Sequence, residues 1–376
     1  MDNQHKYQCA IVGGGLAGLC LSVQLAKKGL SVVLFEKNQY PFHRVCGEYI
    51  SMESWDFLES LGIPLSNLNL PIINELGVSS ERGYMLNAPL KLGGFGISRY
   101  NLDAYLSQLA TGLGVKIIEA CKVSGVETIS PSDYRINTTN SVYFAEMVCG
   151  SFGKYTPSFL NAPVKQPQKT NYVGIKYHVK GDLAANRIEL HNFEGGYCGV
   201  SKVDQDQFCV CYLSDSTNLK NNGNDIKKME ELVLYKNPFL KKCFTESTFV
   251  TPQPQVVSNV TFTKKATNQR GILMLGDAAG AITPLCGNGM SMAMRASKIV
   301  ATLLVDYFDG QISKQKLFDD YQTRWNSHFA LRLQAGRSLQ SLFGKTHLTE
   351  FALRSLNILP SAITQQLISL THGHTF

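Results

Sequence analysis

Six residues near the start of the chain, Gly13, Gly14, Gly15, Leu16, Ala17 and Gly18, satisfy the spacing G-x-G-x-x-G. The pattern alone is common, and its surroundings give it force. Tyr7 to Val12 is an apolar run that reads as a strand, Leu16 to Lys28 reads as a helix, and Ser31 to Glu36 reads as a second strand ending on an acid. A β-α-β unit of this kind binds a dinucleotide. Gly13 permits the tight turn, Gly15 lets the backbone approach a pyrophosphate at the helix N-terminus, and Gly18 lets helix and strand pack closely. Glu36, about twenty residues on, suits a ribose hydroxyl. Leu16, Ala17 and Lys37 belong to the same expected contact.

A second motif points to FAD over NAD. Ile272 to Gly280 (ILMLGDAAG) reads as a strand and turn, followed by Pro284, Gly287, Asn288, Gly289 and Met290 before a helix with the small residues Ser291, Ala293 and Ala296. Asp277, next to Gly276 at the end of that strand, suits a ribityl hydroxyl, and the glycines leave backbone amides free for a pyrophosphate or flavin edge.

These residues need a scaffold built from distant parts of the chain. A length of 376 residues favours two domains. The expected fold is α/β, a Rossmann-type FAD-binding domain with an inserted, mostly antiparallel β-sheet substrate domain and a helical C-terminus. Residues 1–70, 96–160 and 266–312 would build the first domain, 71–95 and 161–265 the second, and 313–376 the helical end. Asn101 is expected to cap a helix reaching to about Gly112. Val115–Val126 and Tyr134–Val148 read as two paired strands, and a helix is expected from about Asn288 to Phe308.

The pairing of GGGLAG with GDAAGAITPLCGNG resembles the flavoprotein superfamily of para-hydroxybenzoate hydroxylase, the flavin-dependent halogenases and the geranylgeranyl reductases, over residues 1 to about 310. The resemblance implies that Gly13, Gly15, Gly18 and Glu36 hold the ADP moiety, that Asp277 holds the ribityl chain, and that Gly287 to Met290 lie near the isoalloxazine. It also implies that Arg99, in R-x-x-L-D, starts a helix near the flavin; the alternative is a surface arginine. Pro41 to Glu48 (PFHRVCGE) resembles the R-x-C-G loop of geranylgeranyl-reductase-like members. There Arg44 would meet flavin phosphate or ring and Cys46 would face the redox centre; otherwise the loop is solvated and Cys46 fills space. His43 and Glu48 are acid/base candidates by position alone.

Departures from the pattern shape the functional expectation. Where many members carry an Asp before Gly, this chain has Phe152, which leaves NAD(P)H in doubt as the reductant. The W-x-W-x-I-P stretch of the halogenases is missing, since Trp55 and Trp325 are the only tryptophans. Of the prenyl-pocket strand of the reductases only Tyr197 remains. Oxygenation of an apolar aromatic or polyketide-like substrate by reduced FAD is placed first, and reduction of a double bond in an isoprenoid or other unsaturated lipid second. A flavin-binding protein without catalysis is the third reading.

Composition narrows the rest. Hydrophobic residues make up 44% and charged ones 17%, which suits a folded protein, and the +7 net charge is dispersed without a basic run of nucleic-acid type. No C-x-x-C occurs among the ten cysteines, so no metal site is expected and free thiols in a reducing cytoplasm are. The last thirty residues hold only Glu350 and Arg354 as charged side chains apart from histidines. That apolar end is expected to pack on the protein's own core, the other roles being a dimer contact, a lid, or a peripheral membrane contact.

Overall fold

The structure is a computed structural model that describes residues 6–160, 171–260, 265–280, 287–369 and 373–376. Cys9, Ala10 and Ile11 are fully buried, as a strand covered on both faces must be. They lie in β1 (Lys6–Val12), which leads through α1 (Leu16–Lys27) to β2 (Val32–Phe35). The two strands pair in parallel, Cys9 opposite Val32 and Val12 opposite Phe35. This is the expected β-α-β unit, and α1 is apolar nearly all round because it is enclosed in the core.

The chain then passes through β3 (Tyr49–Ser51), α2 (Trp55–Leu61), and the hairpin β4 (Ile72–Ser79) and β5 (Met85–Gly96). It returns with α3 (Arg99–Gly112), β6 (Lys116–Ile118) and a meander of β7 (Val123–Ser130), β8 (Asp133–Thr138) and β9 (Val142–Gly150). Next come β10 (Tyr172–Lys180), β11 (Arg187–Phe193), β12 (Gly196–Val203) and β13 (Gln207–Asp215). Three short helices, α4 (Ser216–Asn221), α5 (Ile226–Leu232) and α6 (Pro238–Glu246), precede β14 (Thr248–Phe249) and β15 (Gln255–Val260). The last part holds β16 (Asn268–Gln269), β17 (Ile272–Met274), α7 (Gly289–Phe308), α8 (Lys314–Leu342), α9 (Thr346–Ile358) and α10 (Ser361–Ser369).

Two sheets result. The first has the order β16-β17-β9-β1-β2-β6, with β8 joined to β9 and β7 to β8. Its strands β17, β9, β1, β2 and β6 run parallel, so their C-terminal ends open on one crevice. The second has the order β14-β10-β13-β12-β11-β4-β5-β3, with β15 against β10, and is antiparallel except where β11 meets β4. The fold is thus the expected α/β arrangement with an inserted sheet and helical end.

Local differences have physical causes. Val115–Val126 is two strands, β6 and β7, because the chain leaves the parallel sheet at Ala120, a residue with φ 48°. Tyr134–Val148 is likewise divided into β8 and β9, Thr138 accepting hydrogen bonds from Asn140 and Ser141 across the turn. Asn101 does not cap α3. Ser98 does, its hydroxyl accepting from the Asn101 amide at 3.3 Å, while the Asn101 side chain reaches Asp204.

Candidate cofactor and active site

Val12, Gly150 and Met274 end neighbouring strands, and the backbone that follows each is tied to the next: the Ser151 amide donates to the Val12 carbonyl at 2.7 Å and the Leu275 amide to the Gly150 carbonyl at 2.9 Å. The glycine turn sits at this junction, outside the carboxyl ends of the strands, where open α/β sheets bind ligands. Gly13 has φ 105°, and a Cβ there would lie 2.5 Å from the Ser151 carbonyl oxygen. A Cβ on Gly18 would lie 2.4 Å from the Gly13 carbonyl oxygen. Gly15 differs, since among the described residues a Cβ would meet nothing nearer than 3.7 Å. Its bareness faces open space, and α1 begins there without a side-chain cap. The amides of Leu16 and Ala17 are therefore presented to an anion, which is the fit a pyrophosphate requires.

Glu36 follows β2 and is buried beside this turn. It accepts from the amides of Gly14 and Asn38, the Asn38 side chain and the Arg44 guanidinium, each at 3.0 Å. A carboxylate has about four acceptor positions. A ribose hydroxyl would thus replace one of these donors. Lys37 is the next residue, exposed beside the site. Arg44 also donates to the Gly14 carbonyl and to Asp103, both at 3.1 Å. Asp103 in turn receives Arg99 at 2.8 and 2.7 Å. Arg99 is buried at the start of α3, so the surface alternative is excluded.

Asp277 lies in the turn after β17, half-buried, with no side-chain hydrogen bond among the described residues. A carboxylate left without a donor in a crevice suits a hydroxyl-bearing ligand. Beside it, Lys265 donates to the carbonyls of Lys154 and Asp277 at 2.8 and 3.2 Å, and burial lowers its pKa. Gly276, Asp277, Gly280 and Gly289 border a narrow cavity closed by Met292, Ala296, Trp325 and Phe329. Gly287, Asn288, Gly289 and Met290 lead into α7; Pro284 lies outside the described residues. Phe152 packs back on Gly150 and Met274.

The loop from His43 to Glu48 joins the two sheets. The Cys46 thiol is half-buried, 3.6 Å from the Met290 sulfur in the first turn of α7, so the two segments expected at the flavin do meet. The loop carbonyls are held by the second sheet: Arg44 by the Lys176 ammonium, Gly47 by the Ser201 hydroxyl and Cys46 by the Cys209 thiol, each at 3.2 Å. Glu48 is wholly buried. Its carboxylate accepts from Lys176 at 2.5 Å and from the Arg99 amide at 2.8 Å, and lies 2.6 Å from His178 Nε2. Burial pushes its pKa up, and the His178 hydrogen bond and Lys176 charge outweigh that and hold it below the usual carboxylate range. Burial lowers and Glu48 raises the Lys176 pKa, with a net rise. His43 stays at the surface, tilted against Tyr100 with ring centroids 4.6 Å apart and 5.6 Å from His178; burial and the Lys176 charge lower its pKa.

Lys176, His178 and Cys209 were missed by the sequence reading. A signal was present: Lys176 and His178 alternate with Ile175, Tyr177 and Val179 along one strand, so both point to the same side. A second polar set, Ser79 Oγ at 2.9 Å from His191 Nδ1 and His191 Nε2 at 3.2 Å from Glu189, has the residue types of a hydrolytic triad. Ser79 is wholly buried and its hydroxyl accepts from Asn237 at 2.8 Å, so this set ties β4 to β11 out of reach of substrate.

Comparison with known proteins agrees with this geometry. Residues 11–46 match the model of an NAD(P)-binding Rossmann-like domain, and residues 204–354 match that of squalene epoxidase. The conditioned medium factor receptor 1 of Dictyostelium discoideum is 23% identical, over 87% of this chain and 69% of that protein. The digeranylgeranylglycerophospholipid reductase of Methanococcus vannielii is 22% identical, over 98% and 94%. A solved flavin-dependent brominase superposes with a TM-score of 0.79 at 16% identity, covering 98% of this chain and 93% of that one. The open Gly15 turn, the acid ending β2 and the GDAAG turn in one crevice fit a bound FAD, and the chain is similar in sequence and fold to FAD-dependent oxidoreductases.

Proposed function

We propose that the protein reduces a carbon-carbon double bond in an apolar, isoprenoid-like lipid. The observation that carries this reading is the place of Cys46. Its thiol is half-buried at the junction of the sheets, against Met290, on a loop whose carbonyls are fixed by Lys176, Ser201 and Cys209. FAD in its reduced form, when bound, supplies a hydride to one alkene carbon. Cys46 would give its proton to the other carbon, and the thiolate would regain a proton from solvent. Gly13, Gly15, Leu16, Ala17, Gly18, Glu36, Lys37 and Arg44 would hold the adenosine diphosphate half. Arg99, Gly276, Asp277 and the segment Gly287 to Met290 would hold the flavin half. The similarity to a digeranylgeranylglycerophospholipid reductase across 98% of the chain supports the substrate class.

Oxygenation is the second reading. The match of residues 204–354 to squalene epoxidase favours it, and it shares the apolar alkene as substrate. This order reverses the one drawn from sequence, because Cys46 and Met290 are found together. Phe152, folded onto Gly150 and Met274, fits an electron donor other than NAD(P)H. Nine described cysteines are free thiols, which fits a reducing cytoplasm.

The test is anaerobic. Photoreduced protein is mixed with a short polyprenyl alcohol without oxygen and the flavin spectrum is followed. Reoxidation, with two deuterons from D2O incorporated per double bond lost, one by way of the reduced flavin and one from the exchanged Cys46 thiol, is the expected result. Reoxidation only after oxygen is admitted, with an oxygenated product, moves the assignment to the second reading.

A further inference from the structure

Glu48, His178 and Cys209 bring a carboxylate oxygen, an imidazole nitrogen and a thiol within 4.8 Å of one another in a buried site. Those are metal-ligating types, yet the Lys176 ammonium stands 2.5 Å from Glu48 where a cation would have to bind. The cluster has another place in the molecule. It is the far end of a chain of alternating charge: Glu36 to Arg44 at 3.0 Å, Arg44 to Asp103 at 3.1 Å, Asp103 to Arg99 at 2.7 Å, the Arg99 amide to Glu48 at 2.8 Å, and Glu48 to Lys176 at 2.5 Å. Glu36, Asp103 and Glu48 are thus matched by Arg44, Arg99 and Lys176, with His178 beside the last pair.

Three features argue for more than fastening. The chain starts at the acid of the adenosine site, passes behind the Cys46 loop, and ends in the interior of the substrate sheet. Its members are buried or half-buried, where a charge is poorly screened and acts over several ångströms. Glu48 is kept at φ 56°, a left-handed conformation unfavourable for a residue with a Cβ, and such residues persist where their surroundings over-determine them.

We propose that Glu48 and Lys176 are positioning residues that set the reduction potential of the bound flavin, through the charge balance of this chain and the placement of the 44–48 loop. The inference rests on the FAD reading and holds for either reaction. A surplus positive charge in the chain stabilises the added electrons of a reduced cofactor, and a surplus negative charge opposes them. Direction is therefore fixed by sign: Glu48→Gln raises the potential, Lys176→Met lowers it, and the combined variant, neutral again, returns close to the parent value.

The experiment is equilibrium reductive titration of the FAD-loaded protein and variants against a reference dye, with FAD content read from the absorbance spectrum. Opposite shifts in the single variants, cancelled in the double, are expected. Unchanged potentials, shifts of the same sign, or a folded, loaded double variant away from the parent value overturn the proposal. Should one single variant fail to fold, the other still decides by the sign of its shift, and Lys176→Arg, which keeps the charge, must leave the potential at the parent value. A parent protein that binds no FAD removes the FAD reading itself, a result distinct from potentials that do not follow charge.

Discussion

Glu48 and Lys176 show how much one buried pair can govern. Removing one partner leaves the other charged in the interior, a loss of about 3–5 kcal/mol, whereas replacing both by neutral groups of similar size costs far less. Lys176→Met is expected to lose about that amount in chemical denaturation, and Glu48→Gln combined with Lys176→Met to recover most of it. The pH dependence follows from the directions of the shifts. The Glu48 pKa is depressed on folding, so its contribution is present above the unfolded value of about 4.3 and is lost as pH falls through the folded value. The Lys176 pKa is raised, so its contribution is present below about 10.4 and is lost as pH rises through the folded value. Denaturation between pH 3 and 6 checks the first: the acid-side loss of stability is shallower in Glu48→Gln than in the parent. At the same scale, Cys46→Ala is expected to keep FAD and slow turnover at least about tenfold, as loss of a positioned proton donor does. Sequence exposed Cys46 and Glu48 through their neighbours in R-V-C-G-E, but it could not join them to Lys176 and His178. Those lie 128 and 130 residues further along, and the contact exists only once β10 crosses behind the loop.

Among the elements, the parts read correctly are those whose chemistry is local. The strand-turn-helix of β1 and α1 declares itself because the turn demands glycine at Gly13 and the helix needs a bare start at Gly15. The helices α4, α5 and α6 were not foreseen, being too short for their periodicity to stand out; the side chains of Asp215, Asp225 and Asn237 cap them. The open space at Gly15 makes a prediction. Gly15→Val meets nothing nearer than 3.7 Å at its Cβ among the described residues, so the variant should fold with a melting temperature close to the parent and yet purify without flavin. Gly13→Ala, with a Cβ 2.5 Å from the Ser151 carbonyl and φ 105°, should lose stability as well as flavin. Asp277→Ala removes a carboxylate that accepts no hydrogen bond among the described residues, and is expected to weaken FAD binding with little change in stability. Absorbance after gel filtration with calorimetry separates these outcomes, and a flavin-loaded, fully active Gly15→Val protein would refute the assignment of the turn.

In the whole molecule the C-terminal helices have two faces. Leu353 is buried against Val78, Leu86 and Tyr197, and Ile368 packs beside Tyr49, Ile73 and Leu90, so the expected packing on the protein's own core is found. The opposite side exposes Leu348, Phe351, Ile358, Ile363 and Leu367, with Phe351 at 70% and Ile358 at 85%. The charged residues of α9, Glu350 and Arg354, meet each other at 2.8 Å, and α10 carries no Asp, Glu, Lys or Arg. A surface of this kind can enter an apolar medium without stripping water from a lone charge. No helix among the described residues is long and apolar enough to cross a membrane. We propose a lipid bilayer as the occupant, since the apolar alkene proposed as substrate would partition there. The prediction is that the protein co-sediments with phosphatidylcholine vesicles and that Phe351→Ser with Ile358→Ser abolishes this. Each large apolar side chain transferred is worth about 1.5–3 kcal/mol, so losing two weakens binding by at least about a hundredfold. Binding unaffected by the double substitution would place the contact elsewhere. A parent protein that dimerises in place of binding vesicles, and becomes monomeric on the same substitution, would assign the face to a second copy of the chain.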